Sequence, residues 1–313
     1  MVQMKDQGSG KPNLFLVGAA KAGTTSIAEY LAKHPKIFLC PIKEPNHFNR
    51  EVDLGSIRKD HLKNTWVDWK QYFTQSPLEK KHIAFVKEDC DYFELFRESA
   101  GEDYLLDAST GYLFSPIAAY EINKFNSDAK IIIMLRDPIE RTISHFMMDA
   151  ARGNVSLAKS LDIIKQDYEQ ANKGYCVSNL YIDLSLYYEQ LTRYLDVFTR
   201  DNILILWHDE LRNNSGSALQ RLTEFLGISE FRFADEPQEV HNKTKFSPLR
   251  QMKQMRRVKQ YIPNALVGWL KKVDNRLAKS PDLEKLQSGT HEYIQKQVMD
   301  DWEKTKQLLG TLQ

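Results

Sequence analysis

Apolar residues in this chain fall into short dense runs separated by longer stretches where they recur at helical spacing. Asn13 to Val17, bounded by Pro12 and Gly18, reads as a buried strand. A small-residue loop follows, and Thr24 to Lys33 reads as a helix with Ile27, Tyr30 and Leu31 on one face, ending before His34-Pro35. Ile37-Phe38-Leu39 and Tyr104-Leu105-Leu106 are further short strands, the second running into the turn-like Asp107-Ala108-Ser109-Thr110-Gly111. Lys130 to Leu135 is a strong buried strand. Arg136-Asp137-Pro138 comes next, then a helix to about Ala151 with Pro138 in its first turn. Asn202 to Trp207 is another apolar run between helical segments.

Short apolar strands alternating with amphipathic helices predict an α/β fold, a parallel sheet flanked by helices on both faces. Ligands gather at the carboxyl ends of such strands, where the chemically suggestive loops of this chain all fall. The sequence shows no internal repeat and no low-complexity linker, so residues 12–313 are expected to form a single domain. From about Gly174 the pattern is more helical, and the basic part from about Lys243 is expected to be a helical flap.

The chain has 313 residues and a formal net charge of +1, which argues against a nucleic-acid binder with its strong basic excess. The charge is uneven: Lys243 to Lys279 is heavily basic and offers positive potential to an anionic ligand. Cys40, Cys90 and Cys176 are few, odd in number and widely spaced, which suits a reducing compartment and a cytoplasmic location. The N-terminal residues are polar, and the apolar runs LFLVGAA and IIIML are too short to span a bilayer. A trimmed N-terminal anchor and peripheral membrane contact both stay open. Val267, Trp269 and Leu270 are read as an ordinary helix face before a membrane-touching one.

The first candidate site is Gly18-Ala19-Ala20-Lys21-Ala22-Gly23-Thr24-Thr25-Ser26, between strand and helix. Small residues let the backbone approach an anion, helix-start amides attract negative charge, and three hydroxyls add donors. The nucleotide-binding pattern GxxxxGK[ST] puts lysine after its second glycine. Here Thr24 holds that place and Lys21 lies inside the loop. His34 and His145 lack partners at metal-ligand spacing, so no metal site is assigned. Asp149 and Arg152 read as surface charges, and the aromatic group Trp66, Trp69, Tyr72 and Phe73 as core rather than a sugar platform.

These motifs carry a resemblance. LVGAAKAGTTSI resembles the 5′-phosphosulfate loop of sulfotransferases that use 3′-phosphoadenosine 5′-phosphosulfate (PAPS). RDPIERTIS resembles that family's 3′-phosphate motif, which maps onto Arg136 and Ser144. Lys43-Glu44-Pro45-Asn46-His47-Phe48 resembles the KEPHFF element of the heparan-sulfate-type and related bacterial enzymes, whose glutamate is the catalytic base; Asn46 is inserted relative to the commonest version. Asp107 to Tyr112 resembles the segment EKTPSYF, with Ala108 where the family has lysine. His241 to Lys245 resembles the start of the cofactor-covering loop. The similarity covers most of residues 12–246 and fades beyond Lys245.

The resemblance implies a PAPS-dependent sulfotransferase with a P-loop-like fold and no metal. Lys21 would be catalytic at the leaving oxygen and Glu44 the base. Ala22, Gly23, Thr24, Thr25, Ser26, Arg136, Ser144, Lys243 and Lys245 would hold the cofactor, and His47 would touch the acceptor or be structural. That acceptor would be a small molecule or a glycan, a carbohydrate or glycolipid hydroxyl or amine. A P-loop kinase or NTPase, and a non-catalytic nucleotide-binding module, are the alternatives.

Overall fold

The computed structural model describes residues 10–58, 61–62, 65–228 and 283–311. Lys243, Lys245, the basic stretch around them, and Val267, Trp269 and Leu270 lie outside the described residues. The apolar runs become five parallel strands: β1 (Leu14–Gly18), β2 (Ile37–Leu39), β3 (Tyr104–Asp107), β4 (Lys130–Leu135) and β5 (Ile203–Trp207). Their order is β2-β3-β1-β4-β5. The chain leaves β1 for one edge, returns through β3, then crosses to β4 on the other side of β1, so the connection changes direction around β1. Ligand crevices of α/β sheets form at such a point.

Between the strands run α1 (Thr24–Leu31), α2 (Trp69–Tyr72), α3 (Asp89–Glu94), α4 (Ala118–Phe125), α5 (Pro138–Ala151), α6 (Ser160–Glu169), α7 (Tyr187–Val197), α8 (His208–Asn213) and α9 (Ser215–Leu226), with α10 (Thr290–Gly310) at the C-terminal end. The described residues divide into two compact units. One holds 10–136, Asn172–Asn179 and 187–228; the other holds Asp137–Ala171, Leu180–Leu186 and 283–311.

In the first unit, Leu14, Phe15, Leu16, Val17, Ile131, Ile132, Met134 and Leu135 are buried without alternation. A parallel strand covered on both faces has no polar side, which is why these runs are continuously apolar. Register slips between β1 and β4: Leu16 faces Ile132, yet Gly18 faces Ile133. The extra residue, Val17, turns its carbonyl to the Leu113 N–H at 2.8 Å. This bulge re-aims the strand end. Beside it, Phe48 is buried against the rings of Phe15, Tyr92, Tyr112 and Phe125, with centroids 5.2–5.7 Å away. Burying one such ring contributes about 1.5–3 kcal/mol.

The sequence reading of the aromatic group is corrected at one position. Tyr72 is buried and Trp69 stacks on Phe73, but Trp66 is 69% exposed. Trp66 is not core.

In the second unit, α5 begins as its sequence predicts. The Asp137 side chain caps it by accepting from the Ile139 and Glu140 N–H groups at 3.0 and 2.9 Å, and Pro138 fills the first turn. Phe146 of α5, Ile164 of α6, Tyr181, Ile182, and Ile294 and Val298 of α10 form the core. The last two stand one helical turn apart on one face. Arg141 is wholly buried and donates to the Tyr181 carbonyl and the Ser185 hydroxyl. Asp149, expected at the surface, is buried instead and accepts a 2.7 Å bond from the Tyr181 hydroxyl. A carboxylate facing a buried phenol is a bonded pair, not a solvated charge. Among the described residues, no helix is long and apolar enough to cross a membrane.

Candidate active site

The loop after β1 is shaped by backbone conformations that most residues avoid. Gly18, Lys21 and Gly23 have φ of 150°, 71° and 96°. A positive φ at lysine is uncommon and is held only where the surroundings determine it. Ala19 N–H bonds to the Met134 carbonyl at 2.6 Å, and Ala22 N–H to that of Ala19 at 3.1 Å. Arg136, at the end of β4, reaches across to the Lys21 carbonyl at 3.4 Å. A Cβ on Gly18 would stand 2.7 Å from Leu113 Cβ, so only glycine fits there.

The loop delivers the chain to α1 with no side-chain cap, because the residue before the helix is Gly23. The first intrahelical bond runs from Ile27 N–H to the Gly23 carbonyl. The amides of Thr24, Thr25 and Ser26 therefore have no acceptor within the helix. No acidic residue occupies that first turn. Aligned amides, a neighbouring lysine and hydroxyls make a seat for an anion. Thr24 is buried, while Lys21, Gly23, Thr25 and Ser26 are half-buried. Ala22 is buried and supplies only backbone.

His208, the first residue of α8 after β5, was not singled out by sequence. Its ring Cδ2 lies 3.5 Å from where a Gly23 Cβ would be. Burial first, then the Arg136 charge, lowers its pKa below the usual histidine value. The available signal was its place directly after a strand. Ser144 sits on α5, in the second unit, eight residues beyond Arg136.

Glu44 follows β2. Its backbone is fixed by His82 and Ala84: Glu44 N–H donates to the His82 carbonyl at 3.1 Å, and Ala84 N–H to the Glu44 carbonyl at 2.9 Å. The inserted Asn46 explains itself here. It adopts φ 49°, a left-handed conformation that asparagine tolerates. Its buried amide donates to the Glu44 and Ala84 carbonyls at 2.9 and 3.1 Å. The insertion thus locks the backbone beside Glu44. The carboxylate itself, 10% exposed, takes Lys43 Nζ on Oε1 at 3.1 Å and the Tyr175 hydroxyl on Oε2 at 3.4 Å. Such a group accepts hydrogen bonds and protons, and donates nothing when ionised.

His47 does not fit the acceptor-contacting place expected from sequence. It is 1% exposed, lies parallel on Tyr92 with centroids 4.0 Å apart, and shares Nδ1 with the Val86 carbonyl at 2.8 Å. Its Nε2 meets Arg50 at 3.2 Å. Burial lowers its pKa to about 4, the Val86 bond opposing. The neutral ring therefore donates through Nδ1 and accepts through Nε2, a tautomer assigned from its partners. Its position is that of a brace.

Behind it lies a carboxylate that the sequence reading passed over. Asp107 is wholly buried and accepts from Ser109 Oγ at 2.7 Å and from the Tyr92 and Tyr112 hydroxyls at 2.8 Å each. Burial raises its pKa to about 6, against the pull of those three donors. Ser109 Oγ also takes the Asn46 N–H at 3.2 Å, which ties β3 to the Glu44 loop. Ala108, where lysine was looked for, is buried. Among the described residues, no group of three or more His, Cys, Asp or Glu could hold a metal ion.

The chain is similar in sequence and in fold to known proteins. The chain is 26% identical over 243 residues to the bifunctional heparan sulfate N-deacetylase/N-sulfotransferase 1 of Caenorhabditis briggsae, covering 76% of this chain and 24% of that one. It is 23% identical over 246 residues to carbohydrate sulfotransferase 15 of Mus musculus, covering 69% and 44%. The chain thus spans less than half the length of these curated relatives. Among solved structures, a sulfotransferase from Alicyclobacillus acidocaldarius superposes with a TM-score of 0.56 at 25% identity, over 85% of this chain and 96% of that one. The pattern described as the sulfotransferase family matches residues 12–232, from the strand before the phosphate-loop candidate to just past α9. The chain belongs to the sulfotransferase family.

Proposed function

We propose that this protein transfers a sulfuryl group from PAPS to a hydroxyl or amine of a carbohydrate or glycolipid. The observation that carries the reading is the loop before α1. Its uncapped amides, its strained Lys21 and its tie to Arg136 suit an anion and a neighbouring phosphate. The donor set fits the cofactor, with cationic and amide groups for its phosphates and a lysine where the 5′ end would lie. The relatives named for heparan sulfate and carbohydrate sulfation favour a saccharide acceptor.

PAPS supplies a sulfuryl group joined to a phosphate that leaves. The backbone of Ala22 and Gly23, with Thr24, Thr25 and Ser26, would hold the 5′-phosphate through amides and hydroxyls. Lys21 would offset the charge that builds on the leaving oxygen, acting where charge develops. Arg136 and Ser144 would select the 3′-phosphate, Arg136 as a bidentate fork. Lys243 and Lys245 are assigned to the cofactor by their motif. Glu44 would accept the proton of the attacking hydroxyl or amine, which requires hydrogen-bond reach to that group. His47 would stiffen the loop that carries Glu44 rather than touch the acceptor.

Calorimetry with 3′-phosphoadenosine 5′-phosphate (PAP), ADP and ATP, without magnesium, tests the cofactor. PAP should bind at least about tenfold more tightly than ADP, and Arg136→Ala should remove that preference. Equal binding of the three nucleotides, or a preference for ATP with magnesium, would overturn the reading. A screen with labelled PAPS against heparan and chondroitin oligosaccharides then addresses the acceptor.

A further inference from the structure

Glu44 meets two donors of different origin. Lys43 arrives with the motif itself. Tyr175 arrives from 131 residues further along the chain and belongs to no motif. Its ring packs against a cluster of Val52, Ile57, Phe85 and Cys176, which fixes its direction. It lies directly over Gly111. A Cβ on Gly111 would stand 2.6 Å from Tyr175 Cζ, 2.7 Å from its Cε1 and 2.5 Å from Asn49 Nδ2.

We propose that Tyr175 is a positioning residue for Glu44, its hydroxyl holding Oε2, and that Gly111 is the gap through which it reaches. The inference rests on the reading of Glu44 as base. When the acceptor attacks, its proton passes to Glu44 and Tyr175 keeps its own. Burial, then the Glu44 charge, pushes the phenol pKa well above its usual value, so it remains a donor and does not compete as a base. At 3.4 Å the contact is long, as catalytic contacts often are before substrate arrives. The partner on Oε2 constrains the rotation of the carboxylate and leaves its remaining lone pairs for the acceptor's proton.

The test uses Tyr175→Phe, which keeps the ring and removes the hydroxyl, in protein with carbon-13 in its glutamate carboxyls. The Glu44 signal is identified by its absence from Glu44→Gln. In Tyr175→Phe its carboxyl chemical shift at one fixed neutral pH should change, because a hydrogen-bond donor to one of its oxygens has gone. With labelled PAPS and N-desulfated heparan oligosaccharide, kcat should fall about tenfold while KM for PAPS stays unchanged. Gly111→Ala should lower kcat in the same sense, because its methyl crowds the ring that carries the hydroxyl.

An unmoved carboxyl signal overturns the positioning role, whatever the acceptor. So does an unchanged kcat in Tyr175→Phe beside an inactive Glu44→Gln. A moved carboxyl signal with a fully active Glu44→Gln instead removes Glu44 as base and leaves the Tyr175 contact standing.

Discussion

The loop between β1 and α1 and the pocket around Glu44 both stand at carboxyl ends of strands, yet they are built from different material. The loop is mostly backbone: three positive φ values, two glycines and a helix end without a cap. The pocket is mostly side chains gathered from afar, with Glu44 and Asn46 after β2, Asp107 and Ser109 after β3, and Tyr175 from 172–179. A backbone site depends on which residues can adopt its shape. A side-chain site depends on a network in which each donor fixes the next.

Lys21→Ala should strike hardest, since the loop has one lysine to set against the leaving oxygen. Turnover should fall by about 100- to 1,000-fold, read with labelled PAPS, while PAP binding falls far less. Near-normal turnover would leave the loop as a binding element only.

The pocket should show itself through proton linkage. Asp107, raised to about 6, contributes stability that is fully present below its unfolded value and is lost as pH rises through about 6. His47, lowered to about 4, contributes stability that is present above its unfolded value and is lost as pH falls through about 4. Each is worth about 3 kcal/mol at most, with opposite sign, so the native protein should show little slope from this pair between pH 4 and 6.5. Denaturant unfolding of His47→Gln should reveal stability falling as pH rises through that window, and Asp107→Asn the reverse. Slopes of the same sign in both variants would break the network reading.

Gly18→Ala should have the smallest effect of the three, because one methyl is added. Its Cβ meets Leu113 Cβ at 2.7 Å in a conformation alanine avoids, so about 1–3 kcal/mol is expected, seen as a lower Tm and weaker PAP binding. A variant with native affinity would show that the backbone of the loop is less committed than its φ values suggest.

All five strands were legible in the sequence as apolar runs, most clearly the central β1 and β4, which are covered on both faces and so lack a polar side. So was the cap of α5, where Asp137-Pro138 carries its own local chemistry. The loop was legible for the same reason, since glycine and small residues announce an unusual backbone. Tyr175, Gly111 and Asp107 were not. Nothing local marks a tyrosine that will meet a glutamate 131 positions earlier, or a glycine kept for a ring that arrives later in the chain. Asp149 was misread for a related cause: its partner, the Tyr181 hydroxyl, lies 32 residues away. His47 was open between a structural place and the acceptor, and its burial against Tyr92 shows it facing inward.

The buried Arg141 has a consequence for how the second unit assembles. A guanidinium cannot shed its proton at any physiological pH, so unlike a lysine it has no neutral form in which to wait. Its acceptors on 181–185 arrive from about forty residues away, and α5 cannot bury that face before they do. A half-docked α5 would hold an uncompensated charge out of water. Burial of this face of the helix is therefore coupled to the placement of 180–186, which supplies the acceptors.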